Sequence, residues 1–260
     1  MKSKQIVLLV ITLIAVAIMM LMVIEPQNEE TLQTNQSGID GNKLKIEELI
    51  DDAKYSSGDV SGSYMNENNE KEYSLKNIVL PEFLFETDDA KKANQEIKAL
   101  YETLSKEFKG ALIGEQNSFV ETWYDAIRAK GFLSVKLTVQ RIQNEVEKYE
   151  YITYVFDLDN LELIEFEKLT KKLDLLEAEV EAKVEEGIKN LKEFKKLKEE
   201  DLPKGKSIDD YVKDTLKNYK EAKKDNSLIY YVDAVGRVNI IIPVELPNAE
   251  GDMQRDVKIK

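Results

Sequence analysis

The 260-residue chain contains no cysteine and no histidine. Without cysteine it can form no disulfide, no zinc-thiolate site and no thiol nucleophile, so a folded domain must be held together by packing alone. Without histidine it lacks the commonest general base, transition-metal ligand and pH switch. These absences exclude histidine-dependent hydrolase triads and histidine metal sites. We expect a protein that is not an enzyme and binds no cofactor.

Basic residues are also scarce relative to acidic ones. The chain has 37 Lys and Arg against 50 Asp and Glu, which gives a net charge of −13. Nucleic-acid binding depends on basic patches that displace counterions from phosphates, so we expect no nucleic-acid partner. The acidic surface favours a cationic partner, although the same charge can simply maintain solubility.

One long hydrophobic run lies near the amino terminus, from Ile6 to Ile24. As a helix it would be roughly 28 Å long, about the thickness of a bilayer's hydrocarbon core. Lys2 and Lys4 precede the run and Glu25 follows it, so the positive-inside rule places residues 1–5 in the cytoplasm and the body outside the cell. The run is longer than a signal-peptide core and ends without small residues. We predict an uncleaved, single-pass signal anchor in the cell membrane, with a cleaved signal or a buried core helix as the alternatives.

Residues 25–72 are rich in Asn, Gln, Ser, Gly, Asp and Glu and show little apolar periodicity. A short helix is possible over 43–54, where apolar residues recur on one side. Such a composition buries too little apolar surface to offset the entropy lost on ordering. We therefore predict a flexible polar tether over 25–72, with ordered structure beginning at Tyr73.

Residues 73–165 have the pattern of one helix followed by three strands. Pro81 restricts an initial short strand to a sheet edge, and Thr87 with the aspartates after it predicts the start of a helix over 89–109. In the middle strand apolar and polar residues alternate, which is typical of a half-buried strand. The simplest topology is an antiparallel meander linked by a turn at Gly131 and a hairpin connection over 141–148, with strands at 118–129, 133–139 and 149–158.

Residues 166–260 predict two helices and a β pair packed with the preceding region. A helical block covers 167–200, and Ser207 caps a second helix. Strands are predicted at 226–231 and 238–246, where Pro243 marks an edge or a bulge, and a last short strand is possible at 256–260. The predicted fold class is α+β, an antiparallel sheet packed by helices on an amino-terminal transmembrane helix.

Short motifs in these strands resemble the extracytoplasmic module of the RsiV-type anti-sigma factors. The matching residues are Gly131, the Leu-Ser-Val step at 133–135, the strand end Phe156-Asp157, and an Ala-X-Gly at 249–251. The same module precedes the catalytic domain in a group of bacterial peptidoglycan deacetylases. The resemblance implies this fold and a location outside the cell, and it suggests recognition of lysozyme or the cell wall rather than catalysis.

Aromatic residues are concentrated on the predicted sheet. Tryptophan and tyrosine on an exposed sheet face would form a docking surface for carbohydrate or protein, since they offer large contact area at low entropic cost. Core packing is the competing role for each ring. The candidate partner-binding residues are Trp123, Tyr124, Tyr149, Tyr151, Tyr230 and Tyr231.

Acidic residues give no clear metal or catalytic site. Asp157, Asp159 and Asn160 resemble the start of a calcium loop, but the EF-hand glycine and glutamate positions hold Glu162 and Lys168. We interpret this segment as a strand-end turn without a metal. Paired carboxylates for glycoside hydrolysis cannot be selected by spacing in so acidic a chain.

The sequence as a whole predicts a membrane-anchored, extracytoplasmic binding or sensing module of the bacterial cell envelope. Its expected partner is a wall glycan or a cationic, lysozyme-like envelope protein. Two alternatives stay open. One is an envelope hydrolase that uses two carboxylates, and the other is a structural subunit of a membrane protein complex.

Overall fold

The computed structural model describes residues 40–56, 60–65, 70–75, 78–112, 118–143, 146–247 and 253–259. One compact unit spans residues 39–260. The predicted anchor over 6–24 lies outside the described residues. Among the helices that the structure describes, none combines the length and hydrophobicity needed to cross a bilayer.

The described chain folds into antiparallel sheets and helices, which confirms the α+β class. The elements are β1 Ile50–Ser56, β2 Val60–Met65, β3 Glu70–Leu75, β4 Val79–Phe83, α1 Asp88–Leu112, β5 Ser118–Ala129, β6 Phe132–Gln143, β7 Val146–Asp157, β8 Glu162–Leu163, α2 Phe166–Lys172, α3 Glu177–Lys189, α4 Lys192–Lys196, α5 Ile208–Lys224, β9 Ile229–Val232, β10 Val238–Val244 and β11 Met253–Lys258. The central sheet has the strand order β5-β6-β7-β8, and smaller sheets pair β1 with β4, β2 with β3, and β9 and β11 with β10.

The central sheet is the predicted meander. Lys130 and Gly131 form the turn between β5 and β6, both at positive φ, as a tight two-residue hairpin requires. The predicted connection over 141–148 is wrong, because β6 and β7 stay paired up to Gln143 and Val146. Residues 141–148 contain only two apolar residues, Ile142 and Val146, so their sequence lacks the apolar alternation that identifies a strand.

Strand β6 is largely buried on both faces between Phe132 and Val139, so the prediction of a half-buried strand is wrong over this part. Its apolar positions 133, 135, 137 and 139 pack in a first core with α1 and β4. On the other face Phe132, Ser134 and Thr138 are each at most 2% exposed. There a second core, formed mainly by residues 164–259, covers the sheet. The alternation therefore separates two cores rather than core from solvent.

In the first core, the edge of β4 that does not pair with β1 faces strand β5 and helix α1. The Val79 N–H donates to the Thr122 hydroxyl at 2.9 Å, and the Phe83 N–H donates to the Asn94 side chain at 2.8 Å. Backbone N–H groups two residues apart point to the same side of a strand. Pro81, which has no N–H, occupies the position between these two donors, so this edge leaves none unpaired.

In the second core, β9 stands edge-on against the opposite face of the central sheet. The Val232 N–H donates to the Ser134 hydroxyl at 2.9 Å, and the Tyr230 N–H donates to the Thr153 hydroxyl at 3.3 Å. The other edge of β9 pairs with β10. The sheet that contains β9, β10 and β11 is thus fixed to the central sheet through hydroxyl acceptors.

The predicted tether is wrong over residues 40–56. Leu49 and Ile50 are buried in the first core. Of the short helix considered over 43–54, only a 3-10 turn at Ile46–Glu48 is present, and β1 follows it and pairs with β4. The Arg128 guanidinium donates to the backbone carbonyls of Asn42 and Leu44, which fixes the segment before β1. The average composition of 25–72 concealed this apolar cluster. Order therefore begins before Tyr73.

The predicted helical block over 167–200 consists of three short helices. After α2, Asp174 adopts a positive φ of 54°, and the Leu175 N–H donates back to the Thr170 carbonyl at 2.9 Å. A second break precedes α4 and lets Leu191 and Phe194 enter the second core. The apolar spacing predicted one continuous helix because all three helices turn their apolar sides to the same core, so the spacing continues across both breaks.

The last helix and strands agree more closely with prediction. Ser207 and Asp210 form a capping box at the start of α5. The β pair is a three-stranded sheet, because β11 runs over 253–258 beside β10. Pro243 pairs with Gln254 of β11, beyond Ile241, where the pairing with β9 ends. As expected, the proline lies where β10 has a free edge.

Replacing Ser134 with alanine should lower the free energy of unfolding by about 1–3 kcal/mol, since the buried Val232 N–H would lose its acceptor. Urea denaturation followed by circular dichroism measures the loss. Ser227→Ala is the control, because Ser227 is exposed and its hydroxyl makes only a 3.4 Å contact with a carbonyl. Equal, small effects in both variants would show that the Ser134 hydroxyl does not stabilise the docking of β9.

Candidate functional site

The candidate site lies on the face of the central sheet that carries the second core. Side chains that alternate along β5, β6 and β7 share this face and form three rows across the strands. The rows, which together we call the aromatic grid, are Glu121–Gln140–Tyr149, Trp123–Thr138–Tyr151 and Asp125–Lys136–Thr153. Two of the three rows therefore combine aromatic rings with polar groups on rigid strands.

The third row of the grid is closed by β9. Thr153 accepts from the backbone of Tyr230, and the Lys136 ammonium lies 4.9 Å from the centroid of the Tyr231 ring. The same ammonium is 3.4 Å from an Asp125 oxygen. The first two rows lie farther along the strands, where the sheet face remains partly open.

Trp123 is the most open ring of the grid, at 39% exposure. The ring of Tyr149 meets it edge-to-face, with centroids 6.4 Å apart and planes at 77°. Gln140 donates to the Tyr149 hydroxyl at 3.0 Å, and that hydroxyl donates to Glu147 at 2.8 Å. The bond to Glu147 raises the pKa of Tyr149, which keeps the phenol neutral. A directed hydrogen-bond chain therefore fixes the ring that supports the indole.

Tyr151 closes the opposite side of the second row. Its ring is half-buried, and burial together with the nearby Asp256 raises the pKa of its hydroxyl. Arg255, from the same strand as Asp256, acts in the opposite direction. Thr138, which is 2% exposed, lies between Trp123 and Tyr151 in the row. The exposed indole thus lies beside the buried Thr138, and the far end of its row, at Tyr151, is next to charged side chains.

The structure brings together three of the six aromatic residues predicted from the sequence, namely Trp123, Tyr149 and Tyr151. Tyr231 is buried and borders the grid through Lys136. Tyr230 belongs to the second core, where its hydroxyl donates to the Ile164 carbonyl. Tyr124 follows Trp123 in β5 and therefore lies on the opposite face.

The polar members of the grid were missed by sequence reasoning. Gln140, Thr138 and Lys136 occupy the polar positions of β6, which the half-buried interpretation assigned to solvent. Strand register would have identified them, because a residue of one strand shares its face with the residue directly opposite it. The turn at 130–131 fixes that register.

Tyr124 lies in a separate pocket of about 380 Å³ on the other face of the sheet. Burial raises its pKa to about 12, and the carboxylates of Asp52 and Asp51 act in the same direction. The pocket is lined by apolar side chains, among them Ile50 and Leu84, and by acidic ones. At neutral pH this pocket offers a phenol that is a hydrogen-bond donor beside carboxylates.

The acidic turn after β7 holds a cation from the chain itself. The Lys172 ammonium lies 2.6 Å from both Asp157 oxygens and 2.5 Å from Asp159. Asn42 donates to Asp159 at 2.7 Å, and together Lys172 and Asn42 lower the pKa of Asp159. In the part of the chain that the structure describes, no group of three or more acidic side chains is placed to hold a metal ion.

The Tyr124→Phe variant should lose less stability than the wild type as the pH rises from about 10 to about 12. The pKa of Tyr124 is raised to about 12 in the folded state and lies near 10 in an unfolded chain. Its contribution to stability is therefore complete below pH 10 and disappears as the pH rises through 12. Denaturation at several alkaline pH values, with ultraviolet titration of tyrosinate, tests this. Identical pH dependence in both proteins would contradict it.

Comparison with known proteins gives no match that assigns a role to the site, so its role is argued from its geometry. The resemblance to the RsiV-type module is a prediction from the short motifs described above. No protein-family model matches the chain, and no curated protein matches it.

Proposed function

We propose that this chain is a non-enzymatic binding module of the bacterial cell envelope and that the aromatic grid contacts its partner. The observation that carries the proposal is the open indole of Trp123, held by Tyr149 on a rigid strand. An exposed tryptophan that is fixed by its neighbours and surrounded by hydrogen-bonding groups has the properties of a binding hot spot.

A wall glycan is the first candidate partner. Sugar rings present apolar C–H faces that pack on an indole, while their hydroxyls bond to amides and carboxylates. Gln140 and Glu147 supply such groups on either side of the Tyr149 hydroxyl. The grid therefore offers both kinds of contact within a single sheet face.

A cationic, lysozyme-like protein is the second candidate partner. Glu121, Asp125 and Glu147 border the open rows, and the whole chain carries a net charge of −13. Such a surface steers a basic protein toward the exposed indole. Salt should weaken this interaction much more than it weakens glycan binding.

The proposed location is the outer face of the cell membrane. It is supported by the apolar run over 6–24, its basic amino-terminal flank and the resemblance to the RsiV-type module. Residues 25–39 connect this run to the folded unit. A surface position would place the aromatic grid among wall glycans and secreted proteins.

Binding can be measured with the full-length protein in detergent micelles and soluble peptidoglycan fragments. Trp123 is the only tryptophan, so a saturable change in tryptophan emission reports directly on the grid. Trp123→Ala should weaken binding at least about tenfold by calorimetry, equivalent to about 1.4 kcal/mol. Leu176→Ala is the control, since Leu176 is 66% exposed and lies in the connection between α2 and α3. Neither glycan nor lysozyme binding in the wild type would overturn the proposal.

The location predicts that protease added to intact cells digests the body of the protein. A cytoplasmic marker should survive under the same conditions and disappear only after lysis. If the body is also digested only after lysis, the proposed orientation is wrong. Digestion is followed by immunoblotting against the carboxyl-terminal region.

A further inference from the structure

Helix α5 carries a row of lysines on its outer side. Lys213, Lys217, Lys220 and Lys224 are spaced by four, three and four residues, which places them on one side of a helix. All four are exposed. At 1.5 Å per residue this lysine row is about 16 Å long. It borders a shallow groove of about 340 Å³ with Leu216 in its floor.

The side of α5 opposite the lysine row is buried in the second core, so the helix cannot rotate to bury the lysines. Tyr211, Val212 and Tyr219 are buried in the second core. The Thr215 hydroxyl, which is fully buried, accepts from the Glu245 N–H at 3.1 Å. Packing and a hydrogen bond thus present the four ammonium groups to solvent as a straight line.

Most of these ammonium groups are not used by structural ion pairs. Lys217 lies 3.7 Å from Glu221, and among the described residues the other three form no ion pair. By contrast Lys223, which lies off the row, binds both Glu177 and Glu181.

Two acidic groups that interact electrostatically with lysines of the row have partners of their own. Glu185, which interacts electrostatically with Lys220, is bonded to Lys189. Asp210, near Lys213, caps α5 with Ser207. A concentrated positive line therefore remains on a strongly acidic protein.

We propose that the lysine row binds the anionic headgroups of phospholipids and holds the folded unit against the membrane surface. This inference rests on the membrane anchor of the proposed function. Only residues 25–39 separate the apolar run from the described chain, and fifteen extended residues span at most about 50 Å. Lysines near an anionic surface each contribute modestly, but a tether raises their effective concentration there. A short connection and a linear set of cations together fit a flat, repeating anionic surface.

The test uses the full chain reconstituted in vesicles of phosphatidylcholine, with or without phosphatidylglycerol. Reaction of individual lysines with an amine reagent is measured by mass spectrometry. The row should react at least about fivefold more slowly in the anionic vesicles, and high salt should restore its rate. Lys168 and Lys198, which are exposed on other elements, should react equally in both.

Two variants that each lack four lysines distinguish an effect of this row from an effect of total charge. Energy transfer from Trp123 to a headgroup dye should increase in anionic vesicles for the wild type. Replacing all four row lysines with glutamine should abolish the increase. Replacing Lys168, Lys195, Lys196 and Lys198 with glutamine removes the same charge and should leave it intact. Equal loss in both variants would overturn the assignment to this row.

Flotation of the vesicles distinguishes the two proposals. A chain that floats with both kinds of vesicle but shows equal lysine reactivity in both overturns the inference and leaves the proposed anchor standing. A chain that floats with neither overturns the anchor. Protection of the row by soluble polyphosphate, without protection by anionic lipid, would assign the row to a polymer and overturn the lipid proposal.

Discussion

The fold depends on side-chain hydrogen-bonding groups that meet the free edges of two of the three small sheets. Thr122 and Asn94 meet the edge of β4, and Ser134 and Thr153 meet that of β9. A buried N–H without an acceptor costs about 1–3 kcal/mol, so neither edge could pack there if these groups were apolar. Thr122, Ser134 and Thr153 are polar residues of the central sheet that do not simply face solvent. Their hydroxyls accept hydrogen bonds from the strand edges packed against the sheet.

The same rule explains why the aromatic grid is open. The polar positions of β6 continue through Thr138 and Gln140, beyond the part of the face on which β9 stands. Where no edge strand covers them, the remaining face is available to Trp123. Trp123 lies in the edge strand β5, whose pairing with β6 is continuous from Ser118 to Ala129 and gives the ring a regular base.

Sequence patterns predicted the elements whose signals are local. The meander, α1 with its cap at Thr87, and α5 with its Ser207 capping box all follow from alternation, helical spacing or capping chemistry. Alternation along β6 showed which side chains share a face, but it could not show what covers the second face. That depends on the packing of residues more than ninety positions away, as in the contact of Val232 with Ser134.

The errors have physical causes of the same kind. Residues 40–56 look like tether because a few apolar side chains are diluted by polar neighbours, and only the contact with Arg128 and the pairing of β1 show their order. Tyr124 and Trp123 look alike as aromatic residues, yet strand geometry sends them to opposite faces. Exposure of a ring is a property of the whole packing arrangement, so composition alone could not select the members of the grid.

Pro243 limits how copies of this protein can associate. It is exposed in β10, past the point where β9 ends, and its ring replaces the amide hydrogen that a neighbouring chain would need there. The free end of β10 consists of strongly β-forming residues, and the proline prevents a further strand from pairing with it at this position. A second molecule that contacts this end of β10 therefore lacks an N–H donor at residue 243 with which to extend the sheet.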